Sequence, residues 1–309
     1  MSTTIQHPHI SVVVFVRNAA GTIERAIASV FDQGNAAKEL LVLDGGSTDG
    51  TLDIIRRYAT KIAYWRSCPD GGPEYAIKEG MDRATGDVIC LLPADDWFEP
   101  GALECVAREF AEDPGLDVLS CGARIVHFEE DGSLLVDAEF MKPEDLEFTI
   151  SNIVGGVLSG GRFIRRRVYR QVGGYNPDFH MSNDLEFFIR VCLARPKTKV
   201  VPQLMYTYLK HPTSRTLGEQ PDMVMAMMRG NIRVSAHHLA HSPLLPDERR
   251  ELRGFHGRSC ARLAWMSAVR GQAVETAKTL WEAVRQNWLW PVQVIYWSCR
   301  HLLKLKRYA

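Results

Sequence analysis

The sequence lacks several features that would assign a protein to a class at once. Its 37 basic residues balance its 37 acidic residues, so it has no basic excess of the kind that nucleic-acid binders usually carry. Its seven cysteines include no C-x-x-C pair, which argues against a zinc site and a disulfide framework. No run of about 18 apolar residues occurs, so no helix is expected to span a membrane.

The remaining composition is that of an ordinary globular protein. Hydrophobic residues make up 46% and charged residues 24% of the chain, close to the usual averages, and a length of 309 residues suggests about two structural units. The first residues lack the charged start and apolar stretch of a signal peptide. Most cysteines fall in apolar runs, which predicts buried thiols in a reducing compartment. We therefore expect a cytoplasmic protein.

Strands alternate with helices in the first third of the chain. The β-branched run Ile10–Val16 predicts a strand buried on both faces. Segments 39–43, 62–65 and 87–92 predict three more strands, and apolar residues at helical spacing follow each of the four. This alternation predicts an α/β fold with a mostly parallel sheet and flanking helices. Extended runs around Asp131–Gly132 predict a hairpin, and the chain beyond about residue 219 is predicted to be helical.

Polar clusters follow all four predicted strands, at residues 17–18, 44–51, 70–74 and 93–96. Each cluster alone could merely cap a helix or form a turn. In open α/β sheets, however, ligands bind beyond the carboxyl ends of the strands. Four clusters at one edge therefore predict a ligand-binding crevice.

The motifs at this edge exclude some ligands and favour others. The sequence has no G-x-G-x-x-G after the first strand, no P-loop, no G-x-S-x-G and no H-E-x-x-H. Carboxylates bind a nucleotide diphosphate through a divalent cation, and Mg²⁺ or Mn²⁺ suits oxygen ligands. Asp95 and Asp96 fit this role, although the pair could instead begin the helix near Pro100. Because adjacent strand residues point to opposite faces, we expect only one of the two to touch metal.

Four stretches carry a resemblance to a known family. ISVVVFVRNAAGTIERAIASVFDQ, LLVLDGGSTDGT, PDGGPEYAIKEGMDRATGDVICLLPADD and NDLEFFIRV resemble the inverting family-two glycosyltransferases of GT-A fold, over about residues 9–212. The resemblance implies a Rossmann-like catalytic domain at 1–218, a helical region at 219–309, a nucleotide-diphosphate sugar as donor and Mg²⁺ or Mn²⁺ as cofactor. It also implies exopolysaccharide-type biosynthesis.

The resemblance also implies roles for single residues. The implied catalytic base is Asp184, and the implied metal ligands are Asp96 and, from a His-Pro-x-Ser-like segment, His211. Arg215 is a candidate phosphate contact. The implied donor-binding residues are Val16, Arg17, Asn18, Asp44, Gly46, Ser47, Asp70 and Asp95.

The sequence departs from the family pattern in three places. Gly45 stands where many relatives have a second Asp, Asn183 stands where the base motif often has Glu, and Pro73–Glu74 differ from an exopolysaccharide-type stretch. A uridine nucleotide remains the predicted nucleotide of the donor. The retained Asp184 is consistent with activity.

Some polar residues could have a structural role in place of the functional one. Asp184 is predicted at a helix start, with Asn183 as N-cap and Glu186 completing a capping box, so Asp184 could simply complement the helix dipole. Inverting transfer needs one carboxylate to accept the acceptor proton, and the motif favours Asp184 for it. The arginines at 162, 165, 166 and 167 are predicted either to be solvated or to contact an anionic acceptor.

The C-terminal segment 287–309 combines Trp288, Trp290, Tyr296 and Trp297 with a basic cluster. This pattern predicts peripheral binding to an anionic membrane, and packing on the catalytic domain or a second subunit is the alternative.

The sequence leaves two candidate functions for the protein. One is an active transferase that builds surface polysaccharide on a glycan or lipid-linked acceptor, at the inner face of the cytoplasmic membrane. The other is a catalytically silent module that binds nucleotide sugars or partners.

Overall fold

The computed structural model describes residues 8–34, 36, 38–156, 160–212, 214 and 220–286. Its strands are β1 (Ile10–Val16), β2 (Lys38–Asp44), β3 (Tyr64–Ser67), β4 (Val88–Pro93), β5 (Trp97–Phe98), β6 (Val118–Phe128), β7 (Leu134–Phe140), β8 (Arg162–Arg165) and β9 (Thr198–Leu209). Its helices are α1 (Ile23–Phe31), α2 (Thr51–Arg57), α3 (Pro73–Arg83), α4 (Ala102–Glu112), α5 (Pro143–Leu146), α6 (Ile150–Val154), α7 (Arg166–Val172), α8 (Asn183–Leu193), α9 (Pro221–His241), α10 (Pro246–Val269) and α11 (Ala273–Gln286), with a 3₁₀ turn at Pro177–Phe179.

The strands of the described residues form one sheet in the order β3-β2-β1-β4-β8-β6-β9-β5, with β7 beside β6. Strands β1 to β4 pair in parallel. Beyond β4 the directions mix, because β8 runs antiparallel to both β4 and β6 while β9 runs parallel to β6. The α/β fold class is thus confirmed. The mostly parallel arrangement describes the first four strands, and the whole sheet is mixed.

The central strand β1 is buried on both faces, as its β-branched run predicts. Val12 and Val14 belong to a core that includes α1 and α4. On the opposite face, α3 comes so close that a Cβ at Gly80 would lie 2.3 Å from Val13 Cγ1. The sheet is therefore covered by helices on both sides, which leaves its strand ends as the open edge.

The described chain divides into two compact units. The first comprises Met1–Phe148, Leu158–Pro177 and Ala194–Leu209, and the second comprises Thr149–Val157, Asp178–Leu193 and Lys210–Ala309. The predicted hairpin is present as β6 and β7, and the described part of the predicted helical region, up to residue 286, forms α9, α10 and α11. The predicted domain boundary at residue 218 stays a prediction, since the second unit also includes two earlier segments.

The predicted burial of the cysteines holds with one exception among the described residues, and Cys299 lies outside them. Five thiols are buried, at positions 90, 105, 121, 192 and 260, whereas Cys68 is exposed on the loop after β3. Burial raises the pKa of the Cys121 thiol to about 12, so this thiol stays protonated. Across the described ranges, no helix is both long and apolar enough to cross a bilayer.

Candidate functional site

The register of the parallel strands aligns the ends of β1 to β4. Val16 pairs with Asp44, Asp44 pairs with Ser67, and Phe15 pairs with Pro93. Because Val16, Asp44, Ser67 and Pro93 are the last residues of β1 to β4, the four polar loops leave the sheet at one edge. The strand register therefore brings the four predicted polar clusters to one edge of the sheet, and the ligand crevice there stays a prediction.

The loops after β1 and β2 hold each other in place. The Asn18 amide N–H donates to Ser47 Oγ at 2.7 Å, and Asn18 Oδ1 accepts the Thr48 N–H at 2.9 Å. Asn18 adopts a left-handed backbone with φ of 52°, a conformation that asparagine tolerates better than most residues. Arg17 and Asn18 are both exposed, so this reciprocal pair presents them at the edge.

Asp44 lies beneath the loop and organises it. Its fully buried carboxylate accepts the Ser47 hydroxyl at 2.5 Å and the Ser47 N–H at 3.1 Å. It also accepts the Ser67 hydroxyl at 2.5 Å. Since several protein donors already occupy the buried carboxylate, Asp44 shapes the loop, and Ser47 and Gly46 lie on its more accessible side.

Arg66 is an organising residue that the sequence analysis missed. Its guanidinium donates to the Asp44 carbonyl at 2.8 Å, to Asp70 Oδ2 at 3.1 Å and to Glu79 Oε2 at 2.7 Å. Burial lowers the pKa of Arg66, but the two carboxylates outweigh it and the pKa is raised overall. The spacing of Arg66 and Asp70, four residues apart at the end of a strand, was the available signal.

Asp70 occupies the space beside Gly45. A Cβ at Gly45 would lie 3.3 Å from Asp70 Oδ1 and 3.6 Å from Arg17 Cβ. Asp70 Oδ1 also accepts the Gly72 N–H at 3.1 Å. The glycine at position 45 is thus matched by a carboxylate that arrives from the loop after β3.

Asp95 and Asp96 have different surroundings, but both follow the end of β4 at Pro93, so the strand alternation expected from the sequence does not apply to them. Asp96 is 1% exposed; its Oδ2 accepts the Tyr206 hydroxyl, and its Oδ1 accepts the Leu209 N–H at 3.1 Å. Burial, followed by the charge of Asp95, raises the pKa of Asp96 well above its usual range. Asp95 is only half-buried. Asp95 is thus the more accessible carboxylate of the two, and the assignment of Asp96 as the metal ligand stays a prediction.

Asp184 lies in the first turn of α8, in the second compact unit. It is half-buried, and its Oδ1 accepts the Leu185 N–H at 2.8 Å. The residue before the helix is Ser182, preceded by Met181 in a left-handed conformation with φ of 71°. A bulky residue in that conformation is uncommon and is often associated with a functional constraint.

The predicted capping box at this helix is wrong. Helix α8 begins at Asn183 itself, so Asn183 is inside the helix. Glu186 is buried and accepts two hydrogen bonds from Arg190, at 2.7 and 2.8 Å. Glu186 therefore stabilises the helix through an ion pair one turn along and has no capping role.

The weaker candidates have mainly structural contacts. The His211 N–H donates to Ser214 Oγ at 2.9 Å in the second unit, and Arg215 lies outside the described residues. Arg162 is buried and donates to the Leu146 carbonyl at 3.0 Å, so its predicted solvation is wrong. Arg165 similarly donates to the Phe110 carbonyl at 2.8 Å.

A sequence profile described as glycosyl transferase family 2 matches residues 11–173, more than half of the chain. The chain belongs to glycosyl transferase family 2. The matched span includes the loops after β1, β2, β3 and β4, which leave the sheet at the same edge.

Several curated relatives are similar over this region. The chain is 27% identical over 187 residues to the hyaluronan synthase of Pasteurella multocida, a match that covers 60% of this chain and 19% of that protein. It is 29% identical over 195 residues to a PGL/p-HBAD biosynthesis glycosyltransferase of Mycobacterium bovis, covering 61% and 71%. The chain thus spans about a fifth of the synthase, with 19% of its length matched.

Solved structures of similar fold extend over most of the chain. The S. aureus TarS fragment 1–349 in complex with UDP-GlcNAc has a TM-score of 0.64 at 16% identity, covering 90% of this chain and 81% of that one. The mannosyltransferase PcManGT from Pyrobaculum calidifontis, solved with GDP-Man and Mn²⁺, has a TM-score of 0.60 at 17% identity, covering 97% and 81%. These similarities confirm the GT-A fold for this family 2 member.

The donor set at the edge fits a cation that takes few protein ligands. Within the described residues, no three His, Cys, Asp or Glu side chains form a cluster suited to a metal. Mg²⁺ and Mn²⁺ in phosphate sites commonly use one or two carboxylates, with phosphate oxygens and waters supplying the rest. A single half-buried Asp95 at the edge, braced by the buried Asp96, suits that arrangement.

Proposed function

We propose that this protein transfers a sugar from a uridine-diphosphate donor to a hydroxyl of a glycan or lipid-linked acceptor. The transfer inverts the anomeric centre and serves surface polysaccharide biosynthesis. The observation that carries the proposal is the alignment of four polar loops at the ends of β1 to β4. Membership of family 2 supports the chemistry, and relatives named as polysaccharide synthases support the class of product.

The donor nucleotide binds at the loops after β1, β2 and β3 in this proposal. Arg17, Asn18 and Ser47 contact the base, ribose or phosphates, and their reciprocal hydrogen bonds hold the pocket in shape before the donor arrives. Asp70 supplies the base-facing carboxylate, because its side chain fills the space beside Gly45. Arg66 fixes the position of Asp70 through an ion pair at 3.1 Å.

Asp95 holds the divalent cation in this proposal, with Asp96 as its support. When bound, Mg²⁺ or Mn²⁺ supplies positive charge that stabilises the departing diphosphate. Asp96 keeps the turn after β4 in place through its hydrogen bonds to Tyr206 and Leu209 on β9. The role that the sequence predicts for Asp96 is thus assigned to its neighbour.

Asp184 is the proposed catalytic base. The acceptor oxygen attacks the anomeric carbon, the bond from that carbon to the diphosphate oxygen breaks, and the hydroxyl proton passes to the Asp184 carboxylate. The Leu185 N–H bond orients the carboxylate, and the buried side chains of α8 keep the helix rigid.

The protein works in the cytoplasm, at the inner face of the membrane, in this proposal. Segment 287–309, for which the sequence predicts membrane binding, lies outside the described residues. Its membrane role stays a proposal that rests on its tryptophans and basic residues.

Calorimetric titration of UDP, GDP and ADP, with and without Mn²⁺, tests the donor part of the proposal. We expect Mn²⁺-dependent binding with a preference for UDP, and we expect Asp95→Asn to remove the Mn²⁺ dependence. Leu135→Ser, an exposed position on β7, is the matched control. Equal binding of all three nucleotides, or metal dependence that survives in Asp95→Asn, contradicts the assignment. Binding without transfer to any acceptor would indicate the silent module instead.

A further inference from the structure

Helix α11 exposes apolar side chains on the side that faces solvent. Val274, Trp281 and Val284 recur at helical spacing along one face, and all are exposed, with Trp281 at 69%. The residues that α11 buries are Thr279 and Ala283. A surface helix normally buries its apolar stripe and exposes its polar one. Helix α11 reverses this order over its described length.

The end of α10 adds to the same apolar surface. Trp265 is 68% exposed, and Val269 is exposed one turn later. Leu263 and Ala264, which precede Trp265 on α10, are buried. Helices α10 and α11 are packed neighbours joined by a short turn at Gly271. We call the exposed residues Trp265, Val269, Val274, Leu280, Trp281 and Val284 the α10–α11 face. Six exposed apolar side chains on two packed helices are typical of a binding site.

The charges around the α10–α11 face are positive. Between Glu251 and Glu275 the chain has four arginines and no acidic residue. Arg262 is exposed on α10 and Lys278 on α11, whereas Arg270 is paired with Asp222. The two acids of α11 are both paired with arginines, which offsets their negative charges. Glu275 binds Arg229 at 2.6 and 2.9 Å, and Glu282 binds Arg285 at 3.0 Å.

We propose that the α10–α11 face docks on the surface of an anionic lipid bilayer. Tryptophan is favoured at the boundary between headgroups and acyl chains, because its ring is apolar and its N–H is polar. Exposed Lys and Arg beside it are attracted to anionic headgroups. A second copy of the chain fits less well, because a two-fold contact would place these like charges against each other.

The site is distinct from segment 287–309, although it directly precedes that segment in the chain. It also adds to the proposed function without depending on it, since vesicle binding and nucleotide binding are separate measurements. An enzyme held at a bilayer through α10 and α11 would work next to a lipid-linked acceptor.

Vesicle co-sedimentation of the full chain tests the proposal. The vesicles contain phosphatidylcholine with about 30 mol% phosphatidylglycerol, and pure phosphatidylcholine vesicles show the charge dependence. We expect the intact chain to bind the anionic vesicles at about 50 mM salt and to weaken at about 500 mM. Trp265→Ser combined with Trp281→Ser, with segment 287–309 intact, should weaken binding roughly tenfold or more.

Leu245→Ser is the matched control, because Leu245 is an exposed apolar residue at the other end of α10, beside acidic residues. It should bind vesicles as the unchanged protein does. The double tryptophan variant should keep its melting temperature and its UDP affinity, since exposed side chains contribute little to folding.

Four results would overturn the proposal. Absence of vesicle binding by the intact chain, or equal binding by the double variant, would remove the α10–α11 face as a membrane site. A clear drop in the melting temperature of the double variant would show that protein covers the face. A dimer in sedimentation equilibrium that the double variant dissociates would identify a second copy as the occupant.

Discussion

At the residue scale, the proposal gives the adjacent carboxylates Asp95 and Asp96 different roles: Asp95 binds the metal, and Asp96 supports the turn after β4. Tyr206 donates its hydroxyl to Asp96 in the buried interior. Tyr206→Phe removes this donor and should lower the free energy of unfolding by about 1–3 kcal/mol, because a buried carboxylate oxygen loses its partner. Thermal melting measures the change. Asp95→Asn, at a half-buried position, should melt as the unchanged protein does, and an equal loss in both variants would contradict the division of roles.

Asp184 is the second position where a single atom decides the outcome. Asp184→Asn keeps the side-chain oxygen that accepts the Leu185 N–H but cannot accept a proton, so turnover should fall by about 10²- to 10⁴-fold. Donor affinity and the melting temperature should not change. Steady-state kinetics with calorimetry measure both. Near-normal turnover, or turnover lost together with folding, would remove Asp184 as the base.

At the element scale, the distance between α3 and the sheet depends on Gly80. Replacing Gly80 by Ala should favour the helix by up to about 1 kcal/mol. However, the new Cβ would lie 2.3 Å from Val13 Cγ1 and 3.1 Å from Leu43 Cδ2. Overpacking of this kind costs about 1–3 kcal/mol, so we expect Gly80→Ala to destabilise the protein in urea unfolding. Lys78→Ala, on the exposed side of α3, is the control, and a stabilised Gly80→Ala would show that the helix can shift.

The sequence predicts the elements that are stabilised locally and misses those that depend on distant pairing. The first strand is predicted with its observed ends, because its apolar run is continuous and buried on both faces. Strand β8 was not predicted, because a strand of four residues is too short to show a hydrophobic period. In the sheet it lies between β4 and β6. Strand β9 was likewise missed, and with it the Tyr206 contact to Asp96 across 110 residues of sequence. The position of the polar loops at the strand ends was therefore predictable, whereas the contacts beneath these loops were not.

At the scale of the whole molecule, buried histidines of the second unit make stability depend on pH. Burial lowers the pKa of His238 to about 4, with His237 and Arg190 adding to the effect, although Glu186 lies 4.0 Å away. Glu186 is already paired with Arg190, so burial decides. The folded pKa lies below the unfolded value of about 6.5. The stabilisation is therefore complete above pH 6.5 and is lost as the pH falls towards about 4.

Urea unfolding at pH 7 and pH 5 measures this effect. We expect His238 alone to contribute a loss of about 2 kcal/mol between these values, and His238→Gln should remove that part of the dependence. His241→Gln, at an exposed position on the same helix, should leave it unchanged. A pH dependence that is identical in all three proteins would show that His238 is not the group that titrates.

The central claim concerns the whole molecule, because it is a claim about the reaction that the protein catalyses. Nucleotide release from a panel of UDP, GDP and ADP sugars, with Mn²⁺ and an acceptor mixture from a bacterial lipid extract, tests it most directly. The account predicts Mn²⁺-dependent release from a UDP sugar that rises with acceptor and falls by about 10²-fold or more in Asp184→Asn. Release from no sugar in the panel, or release that is unchanged in Asp184→Asn, would contradict it.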